Sequence, residues 1–348
     1  MRVFLAAIAA ACVLAPAAAQ AQTAVAPPPG PPLEVAPAPR PLGPFGWGLS
    51  EPSGAALGDR RVRKLGVGYA RVIVPYDLVP RALGPGRTRL GRYTWREFYA
   101  WLRAVRRQRL EPMVTFQKQR PFGRRRHLPS LREYERATQR FMERFPAIRT
   151  YTAWNEPNDA GQPTLRSPAR AAEYWASLQA RCTRCVVAAG DLLDNRLQDR
   201  YLTAYRARLA ELGVEPTHWA YHAYNAGVTR RAGRLRAFLA ATPAESEVWL
   251  TEQGGIVRSR GIRSTPRRAN QDLRFLIGLP ALSPRIRRFY LYQLRPSPTW
   301  DSALFDEAGR ARGMFHTFRR ITRRGPPTTK GPPERALRGN SGVRPRAA

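Results

Sequence analysis

The chain has 348 residues, with 59 Lys or Arg against 25 Asp or Glu, a formal net charge of +34 and 43% hydrophobic side chains. That size allows one large domain, and the charge predicts non-specific attraction to polyanions. Beyond the first twenty residues no run of eighteen apolar residues occurs, which excludes a membrane span there.

Residues 1 to 21 read as a leader: Arg2, an apolar run from Val3 to Ala15, and a small-residue ending at Ala19-Gln-Ala21. This is the pattern of a cleaved signal peptide, so the expectation is an exported protein, secreted or held at the cell wall. Cys12 has Ala where a lipoprotein motif would want Leu, which argues against lipid anchoring. Residues 22 to 44 are Pro, Ala and Gly with little else, an extended linker that cannot bury a core. The Pro- and Arg-rich residues 323 to 348 read as a disordered basic tail.

The body, 45 to 322, alternates strand and helix signals. Eight apolar stretches read as strands: Phe45 to Leu49, Tyr69 to Val74, Pro112 to Gln117, Thr150 to Asn155, Cys185 to Gly190, His218 to Asn225, Val248 to Glu252 and Arg288 to Leu294. Helix starts are marked chemically between them. Thr94 with Glu97 and Ser130 with Glu133 have capping-box spacing, and Ser167-Pro168 and Thr265-Pro266 place a hydroxyl ahead of a first-turn proline. Trp95, Phe98, Tyr99, Leu102 and Val105 form one apolar helical face, and Leu131, Tyr134, Thr138, Phe141 and Phe145 form another. Eight β/α repeats of this size predict an α/β fold, a closed (β/α)8 TIM barrel. Neither G-x-G-x-x-G nor a Walker loop is present, so nothing local supports a nucleotide site.

Two strands end on a glutamate. Arg149-Thr-Tyr-Thr-Ala-Trp-Asn-Glu-Pro-Asn158 delivers Glu156, and 96 positions later Glu247-Val-Trp-Leu-Thr-Glu-Gln-Gly-Gly255 delivers Glu252 ahead of a Gly-Gly loop. A single strand-end glutamate is usually a solvated loop charge. Two of them on the fourth and seventh barrel strands belong to one mouth, where barrel enzymes keep their active sites. Paired carboxyls about 5 to 5.5 Å apart are what retaining glycoside hydrolysis requires.

Trp154-Asn-Glu-Pro-Asn158 and Trp249-Leu-Thr-Glu-Gln-Gly254 resemble the motifs of the retaining β-glycosidases of glycoside hydrolase clan A, the cellulase- and xylosidase-like TIM barrels, and the likeness spans roughly 45 to 320. The resemblance implies Glu156 as acid/base, Glu252 as nucleophile and Asn155 as ligand of the sugar 2-hydroxyl. It also implies His222 or Tyr224, in Tyr221-His-Ala-Tyr-Asn225, as a contact of the nucleophile, and Arg71 as the group that favours its ionised state. One departure stands out. The eighth strand, Tyr290-Leu-Tyr-Gln-Leu-Arg295, lacks the Trp that the clan places under the cleaved sugar. Trp300 in the next loop is the substitute, with Trp47 and Gln293 as further substrate contacts, and Trp154 is also near enough to a strand end to stack on a sugar. Trp95, Trp101 and Trp175 have helical spacing and read as packing residues.

No metal or cofactor is expected. His218 and His222 on a strand lie about 13 Å apart, beyond chelation, and retaining hydrolysis needs none. Cys182 and Cys185 in Cys-Thr-Arg-Cys are expected to form a small local disulfide in an exported protein. The partner is therefore a carbohydrate, with acidic wall polysaccharide the polyanion an exported enzyme meets. No recognition motif points to specific nucleic-acid binding, and the chain reads as a monomer. Two competing readings are a non-catalytic carbohydrate- or wall-binding protein that keeps the barrel, and a polyanion-binding protein.

Overall fold

A computed structural model describes residues 45–84, 89–118, 127–259 and 261–324, the side chains of 89–93 excepted. The leader, the linker and the tail from 325 lie outside these residues. Eight parallel strands close into a ring in sequence order: β1 (Gly46–Ser50), β2 (Tyr69–Pro75), β3 (Glu111–Gln117), β4 (Thr150–Thr152), β5 (Val186–Leu193), β6 (His218–His222), β7 (Glu247–Gln253) and β8 (Ile286–Leu291), which pairs back with β1. Helices Arg89–Gln108, Leu131–Arg144, Pro168–Arg181, Gln198–Glu211, Gly233–Ala241, Pro266–Gly278 and Gly313–Thr322 surround it. The first connection is a short helix, Gly54–Leu57, followed by a 3-10 turn, Arg60–Leu65. The fold is a (β/α)8 barrel. No helix among the described residues is long and apolar enough to cross a membrane.

Strand alternation separates two layers. On β2, Ala70, Val72 and Val74 point out into the large core under the helices, while Arg71 points into the barrel. The barrel floor is a second cluster of Met113, Val186, Ala188, Ala220, Trp249 and Tyr290 with Tyr69 against it. Arg288 lies over the Tyr69 and Trp249 rings, its guanidinium carbon 4.1 and 4.2 Å from their centroids. Charge buried there is met by two ring faces and by the Tyr290 hydroxyl at 3.1 Å. β1 yields to these rings: a Cβ on Gly48 would sit 2.5 Å from the Tyr290 ring. The glycine face of β1 is thus the inner one, and Trp47 is turned outward.

Several sequence expectations are corrected, and the fifth and eighth strands end at Leu193 and Leu291 instead of Gly190 and Leu294. β4 stops at Thr152, three residues short of Asn155, although the Asn155 and Glu156 amides still bond the Phe116 and Asp191 carbonyls of the neighbouring strands at 2.8 and 3.1 Å, and Glu156 takes a left-handed φ of +45°. β6 stops at His222, since Tyr224 opens a short helix, Tyr224–Thr229. Thr94 is not an N-cap, because its helix starts at Arg89 and Thr94 is interior. Ser130 and Thr265 do cap, accepting the Glu133 and Arg268 amides at 3.2 and 3.1 Å, whereas Ser167 makes no side-chain cap bond. Cys182 and Cys185 form a disulfide just ahead of β5.

Candidate active site

The C-terminal mouth of the barrel gathers charged side chains from six strands. Arg71 is completely buried, and every N–H direction of its guanidinium fork that is resolved has an acceptor. Nε donates to Thr115 Oγ1 (2.9 Å), Nη1 to Glu252 Oε2 (2.5 Å) and Ser50 Oγ (2.8 Å), and Nη2 to Asn155 Oδ1 (2.7 Å) and Asp191 Oδ2 (2.8 Å). One rigid fork thereby fixes residues from five other strands or strand ends.

Glu252, at the end of β7, is held from its other side by the Tyr224 hydroxyl, which donates to Oε1 at 3.0 Å. Both of its oxygens therefore have a donor. Glu156 is more open: its amide donates to the Asp191 carbonyl at 3.1 Å, and its Oε1 faces His222 Nδ1 at 2.9 Å. Burial pushes the Glu156 carboxyl above the usual carboxylate range, partly offset by the hydrogen bond and charge of His222. The other ring nitrogen of His222, Nε2, lies 3.1 Å from Asp191 Oδ1. With a carboxyl oxygen at each nitrogen, the imidazolium, which donates twice, fits this position. Burial disfavours that charge, but Asp191 and the hydrogen bond to Glu156 outweigh it and raise the His222 pKa to about 10.

One oxygen of Glu156, one oxygen of Glu252 and a ring nitrogen of His222 all lie within 4.8 Å of one another. Three such donors are a conceivable cation site, but each is already engaged. Arg71 and Tyr224 occupy Glu252, and His222 Nδ1 faces Glu156. A divalent ion would also sit against the Arg71 charge, so the donor set suits proton and covalent chemistry better than metal binding.

The remaining sequence candidates divide. Asn155 is buried, bonded to Arg71, and keeps its amide nitrogen available. Trp300 reaches the site, its ring 4.9 Å from that of Tyr224, and its indole N–H is fixed by Ser302 Oγ at 2.9 Å. Gln293 is buried behind it and donates to the Trp300 carbonyl at 3.2 Å. Trp47 is not part of the site: it packs against Phe289 and Phe318, 5.3 and 5.8 Å between centroids, on the outside of the barrel. Trp154 likewise packs outside, stacked on Tyr174 at 5.3 Å. Glu156, Tyr224 and Trp300 line a cleft of about 540 Å³ whose wall includes Asp159, Arg196 and Arg234.

Residues not anticipated from the sequence are Asp191, Glu51 and Asp194. Glu51, beyond the end of β1, accepts the Ser53 and Leu294 amides at 2.8 and 2.7 Å and ties the start of the β8 loop to β1; burial pushes it up to about 7. Asp194 accepts the Asn225 and Ala226 amides at 2.8 and 2.6 Å, and burial pushes it too up to about 7. The signal for Asp191 was the one that found the glutamates, an acid at the end of an apolar strand.

No family model matches the chain, and no curated protein matches it. Solved structures do. A monomeric beta-xylosidase from Caulobacter crescentus CB15 is similar with a TM-score of 0.57 at 13% identity, over 80% of this chain and 69% of that one. GH5_18 from Streptomyces cattleya, solved with GlcNAc, matches at 0.57 and 16% identity over 81% and 80%. A GH128 (subgroup II) endo-beta-1,3-glucanase from Sorangium cellulosum matches at 0.52 and 15% over 79% and 97%. These structural neighbours are clan A glycoside hydrolases, and at such identities the likeness is one of fold.

Proposed function

We propose that the protein is an exported retaining β-glycosidase that cleaves O-glycosidic bonds in an oligo- or polysaccharide. The observation that carries this reading is the approach of a Glu156 and a Glu252 oxygen to within 4.8 Å at the mouth of the barrel. The reading is supported because retaining enzymes hold their carboxyls about 5 to 5.5 Å apart, whereas inverting enzymes need roughly 6.5 to 9.5 Å to admit a water.

In the first step Glu252 attacks the anomeric carbon, and the bond to the leaving oxygen breaks as Glu156 gives that oxygen its proton. Arg71 and Tyr224 each donate to one oxygen of Glu252 and keep it oriented. His222 occupies Oε1 of Glu156, which leaves Oε2 to carry the transferable proton. In the second step ionised Glu156 takes a proton from water, the hydroxide attacks the same carbon, and Glu252 leaves. Trp300 is placed to stack on a sugar in the cleft, replacing a strand-eight Trp. Export, from the leader, makes extracellular or wall polysaccharide the substrate pool.

The test uses aryl β-glycosides and a panel of polysaccharides. Glu252→Ala is expected to abolish turnover. Glu156→Ala is expected to slow it by about 10²- to 10⁴-fold, least for the best leaving groups, and to be rescued by azide. The first-formed product should be the β-anomer by NMR. Full hydrolysis by Glu252→Ala, or an α-anomer released first, would overturn the reading.

A further inference from the structure

We propose that Asp191 is the positioning residue that couples the two glutamates, one buried carboxylate holding both the imidazole behind Glu156 and the guanidinium behind Glu252. What the glutamates do rests on the glycosidase reading, but the coupling is testable without it.

Asp191 has no exposed surface and all its acceptor capacity is used. Oδ1 receives His222 Nε2 at 3.1 Å and Thr251 Oγ1 at 2.6 Å, and Oδ2 receives Arg71 Nη2 at 2.8 Å and Thr152 Oγ1 at 3.2 Å. Its carbonyl also accepts the Glu156 amide at 3.1 Å. From Asp191 the path to either catalytic carboxyl is a single side chain.

The strand is distorted to put it there. On β5, Val186 and Ala188 join the barrel floor while Val187 and Ala189 join the outer core. Strict alternation would send residue 191 outward. Instead the register of β5 on β6 shifts between Gly190 and Leu192, both Gly190 and Asp191 take left-handed φ values of +84° and +55°, and Leu192 returns to the outer core. A left-handed non-glycine residue is costly, and here it turns a carboxylate inward where a leucine side chain would otherwise point.

Charge explains the need. Around His222 stand Asp191 from β5, Glu156 after β4, Glu252 on β7, the Tyr224 ring and, further out, Asp194. From β2 the Arg71 Nη2 lies 3.5 Å from His222 Nε2. Two cations that close repel unless an anion lies between them, and Asp191 bonds to both. Arg71 and His222 in turn hold Asp191 well below the usual carboxylate range, against the opposing effect of its burial. With Asp191 neutral, His222 should lose its proton at neutral pH. Ionised Glu156 would then lose its cationic donor and titrate higher.

The readout is the ¹⁵N imidazole resonance of His222, assigned by its loss in His222→Gln. Wild type is expected to be imidazolium at pH 7.5 and Asp191→Asn neutral. In the hydrolysis assay Asp191→Asn should lower kcat by about ten- to a hundredfold with little change in KM, the scale of losing a partner that orients a functional histidine. The alkaline limb of kcat/KM should move to higher pH, with no further movement when Asp191→Asn is added to His222→Gln. A neutral His222 in wild type at pH 7.5, or an unchanged His222 titration in Asp191→Asn, overturns the proposal. The wild-type spectrum decides even if the variant does not fold. Should the NMR contrast hold in a protein that cleaves no β-glycoside, the coupling stands and the glycosidase reading falls.

Discussion

Tyr224 and Glu252 show how a single hydroxyl sets a carboxylate. The phenol is buried, its proton goes to Glu252 Oε1 at 3.0 Å, and the other oxygen is committed to Arg71. A hydrogen bond to a charged group contributes about 1.5 to 3 kcal/mol. Tyr224→Phe keeps the ring and removes the proton, so kcat/KM on an aryl β-glycoside should fall roughly ten- to a hundredfold with the fold intact. Unchanged kinetics in that variant would mean that Arg71 alone orients Glu252. Asn155 is bonded to the same guanidinium through its carbonyl oxygen at 2.7 Å, so that oxygen is the acceptor of the pair.

At the scale of elements, the charged mouth of the barrel depends on where strands stop and what lies beside their ends. The loop after β7 passes against the first turns of helix Pro266–Gly278: a Cβ on Gly255 would overlap the Ala269 carbonyl, and one on Gly254 the Tyr292 carbonyl. The Gly-Gly pair is therefore a contact requirement between Glu252 and two neighbouring segments. Since backbone, unlike a flexible side chain, cannot step aside, Gly255→Ala is expected to cost about 1 to 3 kcal/mol, read as a lower urea midpoint. An unaltered midpoint would show that helix and loop can part freely. Glu51 does similar work between β1 and β8, where its two oxygens satisfy amides that no strand partner reaches.

The whole molecule carries the positive charge of its described residues on the outside, with only Arg71 and Arg288 buried among the arginines, while several carboxyls are buried. Its stability against pH follows from four buried groups. Burial raises Glu51 from 4.5 and Asp194 from 3.8 to about 7, so the stability each contributes is complete below its unfolded value and is lost as pH rises through about 7. His222, raised to about 10, contributes below 6.5 and loses that contribution between 6.5 and 10. His218 opposes them: burial lowers it to about 4, so its contribution is present above 6.5 and lost only as pH falls toward 4. Between pH 9 and 6.5 most of the change comes from His222, with Glu51 and Asp194 adding theirs only near and below 7. The melting temperature measured by calorimetry should therefore rise by several degrees from pH 9 to pH 6.5, as about 1.4 kcal/mol per pKa unit implies. A flat profile over that window would contradict the raised pKa of His222 between its carboxyl partners.

What was legible in the sequence was local. Apolar runs of strand length separated by amphipathic helices specify eight β/α units, and a glutamate at the end of a run is visible wherever the run is, so Glu156 and Glu252 were identifiable one strand at a time, whereas Arg71, and His222 or Tyr224, were reached only through the family resemblance. Ser130 and Thr265 were legible as caps for the same reason, since a cap bonds within three residues. Only the closed barrel decided the rest. Trp47 faces out because Tyr69 and Tyr290, from other strands, fill the space inside β1. Asp191 faces in because a register shift against β6 breaks the two-residue alternation on which any reading of β5 alone must rely. Direction along a strand is a property of one segment, whereas direction across it depends on what the neighbouring strands leave room for.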